Sequence, residues 1–300
     1  MRTYTVLVNP ISGGGKAPER VKPIVAALRA AGATVDDVRT EGAAHATATA
    51  RGAADKGHIV VAAGGDGLVR DAADAVTRTG GILGIVPAGR GNDLARKLGV
   101  PADPQALAEL LLYGEPRPID VLQCDDGTAG GEAGGGGPIV PGNLYAGLDS
   151  VSNAMINSSR WIPAKLLYRL APLRAILTWK PADYKITLDG VAIAVRAHTV
   201  VVANSGTYGH GLDIVPGAVV DDGLLDVLIA GDMPRWKIAA RMREAGQGTH
   251  VRHPEMDVRT GREITIDADR PLPVCIDGDY HCNLPVTVRL RPAALRVLRP

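Results

Sequence analysis

Residues 60–75 read VVAAGGDGLVRDAADA. An apolar run over residues 59–63 enters, Gly64, Gly65, Asp66 and Gly67 turn, and an alanine-rich segment over residues 68–76 leaves. The pattern is strand, glycine turn, helix. Glycine lets the backbone take positive φ and approach a ligand closely. The emerging helix offers unpaired N–H groups and the positive end of its dipole, which stabilise a phosphate. Asp66 in the middle of an anion site makes chemical sense if it acts through a cation that the phosphates also touch.

Outward from this turn the same unit recurs. Residues 4–8 form a buried strand followed by Asn9 and the glycine run Gly13–Gly15, and Val21, Ile24, Val25 and Leu28 space a helix ended by Gly32. Strands at residues 34–39, 58–63 and 81–86 alternate with a helix over residues 44–56 and the one leaving the glycine turn. Alternation at this pitch predicts an α/β fold with a doubly wound parallel sheet, whose ligand sits beyond the carboxyl ends of the strands. Asn9, Thr40, Gly64 to Gly67 and the turn Gly89-Arg90-Gly91-Asn92 all fall at such ends.

Past residue 117 the pattern changes. Strands follow one another at residues 119–124, 139–147, 184–188, 191–203, 224–229, 263–267, 273–276 and 286–290, predicting an antiparallel β-sandwich. The expected domains are therefore residues 1–117 and 118–290. Residues 125–138, DDGTAGGEAGGGGP, have nothing to bury and read as a disordered loop. Residues 158–180 mix Trp, Leu and Ile with Arg and Lys, a composition that suits either a core-covering helix or a membrane interface. Pro163, Pro172 and Pro181 argue for short helices there.

Lys plus Arg number 33 against 32 acidic residues, so charge gives no signal for nucleic acid. No stretch approaches the roughly 20 apolar residues needed to span a bilayer, and the N-terminus reads as a strand and not a signal peptide. Cys124, Cys275 and Cys282 lack CxxC spacing and read as thiols in a reducing cytosol. Cys275 and Cys282 with His281 lack a fourth metal ligand of sensible spacing. His210, in a glycine loop, reads as polar surface that could face the cleft.

The motifs VNPISGGGKA, GGDG, GIVPAGRGNDLAR, DDGLLDV and CIDGD, in this order, resemble the diacylglycerol kinase catalytic family, its soluble bacterial lipid kinases in particular. The resemblance implies an NAD-kinase-like nucleotide domain followed by a β-sandwich, with residues about 291–300 returning to the first domain. It implies ATP and Mg²⁺ in the cleft between them and a lipid hydroxyl as acceptor, commonly that of diacylglycerol. It places Asn9, Thr40, Gly64, Gly65, Asp66, Gly67, Arg90 and Asn92 at the nucleotide. It puts Asp66 on magnesium through water, and Asp222 with the carbonyls of Val219 and Leu224 at a second metal site. Asp277 falls on the general base. On spacing alone, Asp222 belongs to a solvated turn and Asp277-Gly278 is a hairpin signal. The implied setting is cytoplasmic, peripheral to the membrane during turnover, with a lipid partner, no transmembrane segment and a homodimer left open.

Four places depart from the family pattern, one of them Asp277-Gly278-Asp279, where Asp-Gly-Glu is usual. Leu68 stands where Thr is usual, which removes a hydroxyl that could bond phosphate. Arg90 stands where Thr is usual and adds a permanent cation suited to phosphate. Arg70-Asp71 stands where Asn-Glu often follows. These leave two alternatives to a lipid kinase: an NAD kinase, which shares GGDG, and a catalytically weakened nucleotide- or lipid-binding member of the family.

Overall fold

The computed structural model describes residues 2–127, 136–158, 174–209 and 211–300. His210, most of the expected loop at 125–138 and most of the segment 158–180 lie outside the described residues.

The first half is a parallel sheet in the order β2 (Thr34–Arg39), β1 (Thr3–Val8), β3 (Ile59–Gly64), β4 (Ile82–Pro87). All six residues of β3 are buried, as expected of a central strand covered on both faces. One cover is α1 (Ala17–Ala30) with α5 (Pro104–Tyr113), which place Val21, Ile24, Leu28, Leu107 and Leu111 in a common apolar cluster. The other is α2 (Ala43–Asp55) with α3 (Asp66–Thr79), whose Ala46, Ala50, Ala72 and Ala73 allow close helix packing. A short α4 (Asp93–Lys97) follows the second glycine turn. Gly80 ends α3 in the left-handed conformation at φ 68°.

The second half comprises β5 (Pro116–Asp125), β6 (Ile139–Val140), β7 (Asn143–Gly147), α6 (Leu148–Ser158), β8 (Ala182–Leu188) and β9 (Val191–Ala203). The short hairpin β10 (Thr207–Tyr208) and β11 (Leu212–Asp213) follows, then β12 (Leu225–Gly231), α7 (Arg235–Glu244) and β13 (Met256–Gly261). The chain closes with β14 (Glu263–Ala268), β15 (Pro273–Ile276), β16 (Asp279–Asn283) and β17 (Val286–Leu298). Strand β9 serves two layers. Its first half pairs with β8 and its second with β7 and β12. Between the layers, Tyr184, Ile186, Ile264 and Val288 meet Leu144, Val202, Val227 and Val274 in one sandwich core.

Three features differ from the sequence expectation. The strand expected over 139–147 is split at Pro141-Gly142, where proline offers no N–H. The peptide oxygen of Gly142 instead accepts from the amides of Asn204 and Ser205. Strands β10, β11, β13 and β16 and helices α4, α5, α6 and α7 were not expected, although α5 spaces Leu107, Ala108 and Leu111 on one buried face. β17 is longer than its expected first part: after a bulge between Arg291 and Leu295 it runs on between β4, which it pairs in parallel, and β5, which it pairs antiparallel.

Candidate active site

The glycine turns form one edge of a cavity of about 1410 Å³. Asn9, Ser12, Gly65 to Leu68, Arg90 and Gly91 line that edge, Pro141-Gly142 and Asp277 to Asp279 line another part, and the remaining wall is mostly apolar, with Asp149, His198, Arg241 and His250 set into it. Close approach of the two turns needs glycine. A Cβ on Gly89 would lie 2.3 Å from the Cα of Gly65, and one on Gly91 would lie 2.6 Å from Asp66 Oδ2. Asp66 fastens the turns: its Oδ2 accepts from the Asn92 amide at 2.9 Å and its Oδ1 from the Asp93 amide at 2.7 Å. Burial, helped by repulsion from Asp93, raises its pKa, and these amide bonds oppose the rise.

Asn9 lines the cavity and turns its Oδ1 back to the Ile11 amide. Arg90 is exposed at the rim with no hydrogen bond or ion pair among the described residues. Leu68 is buried in the apolar cluster beside α3, against the Cα face of Gly64. Thr40, Gly64 and Asn92 do not line the cavity. Thr40 is buried and its amide donates to the Val8 carbonyl. Asn92, at φ 54°, closes the second turn by accepting from the Gly89 amide at 2.8 Å. Ser12, whose Oγ lies 3.4 Å from where a Gly64 Cβ would be, is a cavity residue that the sequence reading passed over. Its signal was a hydroxyl in a glycine run after a strand.

Asp277 and Gly278 are the two residues between β15 and β16, at φ 44° and 94°, so the hairpin reading holds. The Asp277 side chain nonetheless turns inward and accepts from the Asn143 amide at 2.8 Å. A Cβ on Gly142 would fall 1.9 Å from its Oδ1, so glycine is required opposite the carboxylate. Burial pushes the Asp277 carboxyl up to about 7 and Asp66 adds to the rise, while the Asn143 amide and Arg70 hold it down. Arg70, on α3, spans to the hairpin: its Nη1 donates to the Ile276 carbonyl at 3.1 Å and pairs with Asp279 Oδ2 at 3.0 Å.

Further in, the Tyr208 hydroxyl donates to Asp149 Oδ2 at 2.6 Å, and Tyr145 stacks on Tyr208 with centroids 4.8 Å apart. Burial raises the Asp149 pKa. The two partners are 59 residues apart in sequence, so no local pattern announces them. Asp222, Val219 and Leu224 do not line the cavity. Asp222 Oδ1 accepts from the Leu224 amide at 3.0 Å, and Val219 is exposed.

An α/β domain with glycine turns at its strand ends, joined to a β-sandwich across one cavity, is the architecture of the NAD-kinase-like phosphotransferases. Residues 3–124 match the diacylglycerol kinase catalytic domain, and residues 142–299 match the YegS C-terminal NAD kinase beta sandwich-like domain. A diacylglycerol kinase of Mycobacterium tuberculosis (strain ATCC 25618 / H37Rv) is 35% identical over 99% of this chain and 94% of its own. One of Staphylococcus aureus (strain MRSA252) is 23% identical over 93% and 87%. Two solved chains of Bacillus anthracis str. Sterne share the fold. One has TM-score 0.81 at 24% identity, covering 100% of this chain and 95% of its own. The other, a diacylglycerol kinase, has TM-score 0.73 at 18%, covering 100% and 97%. The chain belongs to the diacylglycerol kinase catalytic family and is an ATP-dependent lipid kinase.

Proposed function

We propose that the chain transfers the γ-phosphoryl group of ATP to the free hydroxyl of diacylglycerol, giving phosphatidic acid. The observation that carries this is one cavity that holds the glycine turns, the Asp277 carboxylate and a mostly apolar further wall. A nucleotide and an acyl-bearing acceptor can occupy it together with the acceptor hydroxyl near Asp277.

Asp277 is the proposed general base. A carboxylate whose pKa lies near neutrality is partly ionised at working pH and still basic enough to take the hydroxyl proton. As the proton moves to Asp277, the hydroxyl oxygen bonds to the γ-phosphorus and ADP leaves. The backbone of Gly65 to Gly67, at the start of α3, with Asn9 and Arg90, would hold the phosphates. Thr40, Gly64 and Asn92 support these turns from behind.

The donor set fits Mg²⁺ at Asp66: its carboxylate faces the cavity, is crowded by Asp93, and has lone-pair sites beyond those that accept from the Asn92, Asp93 and Leu94 amides. Bound there, Mg²⁺ would supply charge neutralisation of the phosphates. A second cation at Asp222 with the Val219 and Leu224 carbonyls would lie outside the cavity and act on structure. The reading also divides the chain into residues 1–117 and 118–290, with residues 291–300 returning to the first part.

The acceptor resides in a bilayer, and α7 offers a contact to it. Trp236 is 69% exposed between Arg235 and Lys237, on the helix whose Ile238 and Met242 line the cavity. Trp179 is not available for this role: it is 8% exposed, under the Arg270 guanidinium at 5.4 Å.

Incubation with labelled ATP, Mg²⁺ and separate vesicle-borne diacylglycerol, sphingoid base and soluble NAD tests the reading. Label in phosphatidic acid alone is expected. Label in another acceptor replaces the substrate, and ATP binding without transfer to any of them replaces the enzyme by a binding protein.

A further inference from the structure

A second cluster of ligating side chains, none of which lines the cavity, lies on the hairpin that carries Asp277 and beside it. Asp126 follows the end of β5, and His281 and Cys282 are consecutive in β16. One ligand atom from each of the three lies within 4.8 Å of the others. Consecutive strand residues ordinarily point to opposite faces. Here the pairing of β15 with β16 steps from Cys275 opposite Tyr280 to Val274 opposite Cys282, so His281 is the extra residue of a bulge. The bulge re-aims the strand and brings the imidazole and the thiol to the same carboxylate.

The His281 Nε2 atom is buried, has no hydrogen-bond partner among the described residues, and lies 3.8 Å from Asp126 Oδ2. A buried ring nitrogen without a partner is costly unless something else satisfies it. Arg70 and Asp126 are the charged groups that bear on His281.

We infer that Asp126, His281 and Cys282 form a binding site for a thiophilic divalent cation of the Zn²⁺ type. Carboxylate, imidazole and thiolate together suit Zn²⁺ and not Mg²⁺, which takes oxygen ligands. Tetrahedral ligands at Zn²⁺ bond lengths stand ~3.3–3.8 Å apart, so three side chains already within 4.8 Å need small rotations to close on the ion. On binding, Cys282 Sγ gives its proton to solvent and forms the metal–sulfur bond, and water fills the fourth position. The ion ties β16 to the end of β5, and so steadies the hairpin that presents Asp277.

Binding of Co²⁺ to the whole protein tests this, because a cobalt–thiolate bond gives a charge-transfer absorption independent of kinase activity. Zn²⁺ should displace it, and excess Mg²⁺ should not. Wild type and the controls His253→Ala and Cys275→Ser should show the band, and Cys282→Ser should lose it. Where Cys282→Ser folds poorly by circular dichroism, Asp126→Asn, close in size, is read instead. It should weaken Zn²⁺ binding by about 10-fold or more. Absence of the band in wild type, its survival in folded Cys282→Ser, or unchanged Zn²⁺ affinity in Asp126→Asn overturns the site.

Discussion

Asp277 joins two roles that the sequence offers as alternatives: it is a hairpin residue by backbone and a cavity residue by side chain. Asp277→Asn should lower kcat by about 10²–10⁴ with ATP affinity little changed. The wild-type rate should rise with pH through about 7 as the carboxylate forms, and the variant should lack that limb. Stability should move the other way. The folded state holds a proton on Asp277 that the unfolded chain releases near pH 4, so between about 4 and 7 wild-type stability falls as pH rises. Asparagine escapes this, so the melting-temperature gain of Asp277→Asn should grow from pH 4.5 to about 7.5. A gain that stays flat with pH means the raised pKa is absent. Arg90 belongs to the same scale. It stands at the rim with no partner among the described residues, so Arg90→Ala should weaken ATP binding by about 1–3 kcal/mol, read by titration calorimetry. Arg90→Thr, the family residue, should recover part of the loss. Tighter binding in Arg90→Ala would mean that the side chain obstructs the pocket.

At the scale of elements, the glycine turns that line the cavity were legible in sequence because a strand, a glycine run and a helix have a composition that can be read directly. Their mutual packing was not: that Gly89 abuts Gly65 depends on which strands are neighbours. Gly89→Ala should therefore cost both stability and ATP affinity, since a methyl group 2.3 Å from the Gly65 Cα forces the turns apart. Equal melting temperatures for variant and wild type would contradict the packing. Gly65→Asp should abolish turnover with the fold retained, because its own Cβ meets only the Gly89 Cα at 3.4 Å while the added charge repels phosphate. Helix α7 escaped the sequence reading because RWKIAARMRE buries only Ile238, which leaves too little apolar periodicity to detect. Strand β16, DYHCN, is polar and was read only as the sequel of a turn. Trp236→Ala should reduce sedimentation with anionic vesicles while leaving ATP binding unchanged, and an equal bound fraction would remove α7 from the membrane contact.

At the scale of the molecule, the alternating half was readable from periodicity, and the return of the last residues came only with the family resemblance. Leu295, Val297 and Leu298 are fully buried, each contributing roughly 1.5–3 kcal/mol by its burial. Arg70, with its bonds to Ile276 and Asp279, is a second tie across the halves, and its reach of more than 200 positions has no signature in sequence. Removal of residues 292–300 should leave insoluble protein instead of a folded sandwich, checked by the soluble fraction and circular dichroism. A soluble, cooperatively melting product would show that the first sheet closes without β17.

The placement of β17 between β4 and β5 also sets a timetable for synthesis. β4 leaves the ribosome about 200 residues before the segment that will sit beside it. At translation speeds of roughly 5–20 residues per second, that is an interval of about 10–40 s. Throughout it the nascent first half carries an open strand edge of mostly buried-type residues, Ile82, Leu83, Ile85 and Val86, able to pair with a neighbouring chain. A protein built this way completes its first-made sheet with some of its last-made residues, so chaperone demand should track the pace of translation through the second half.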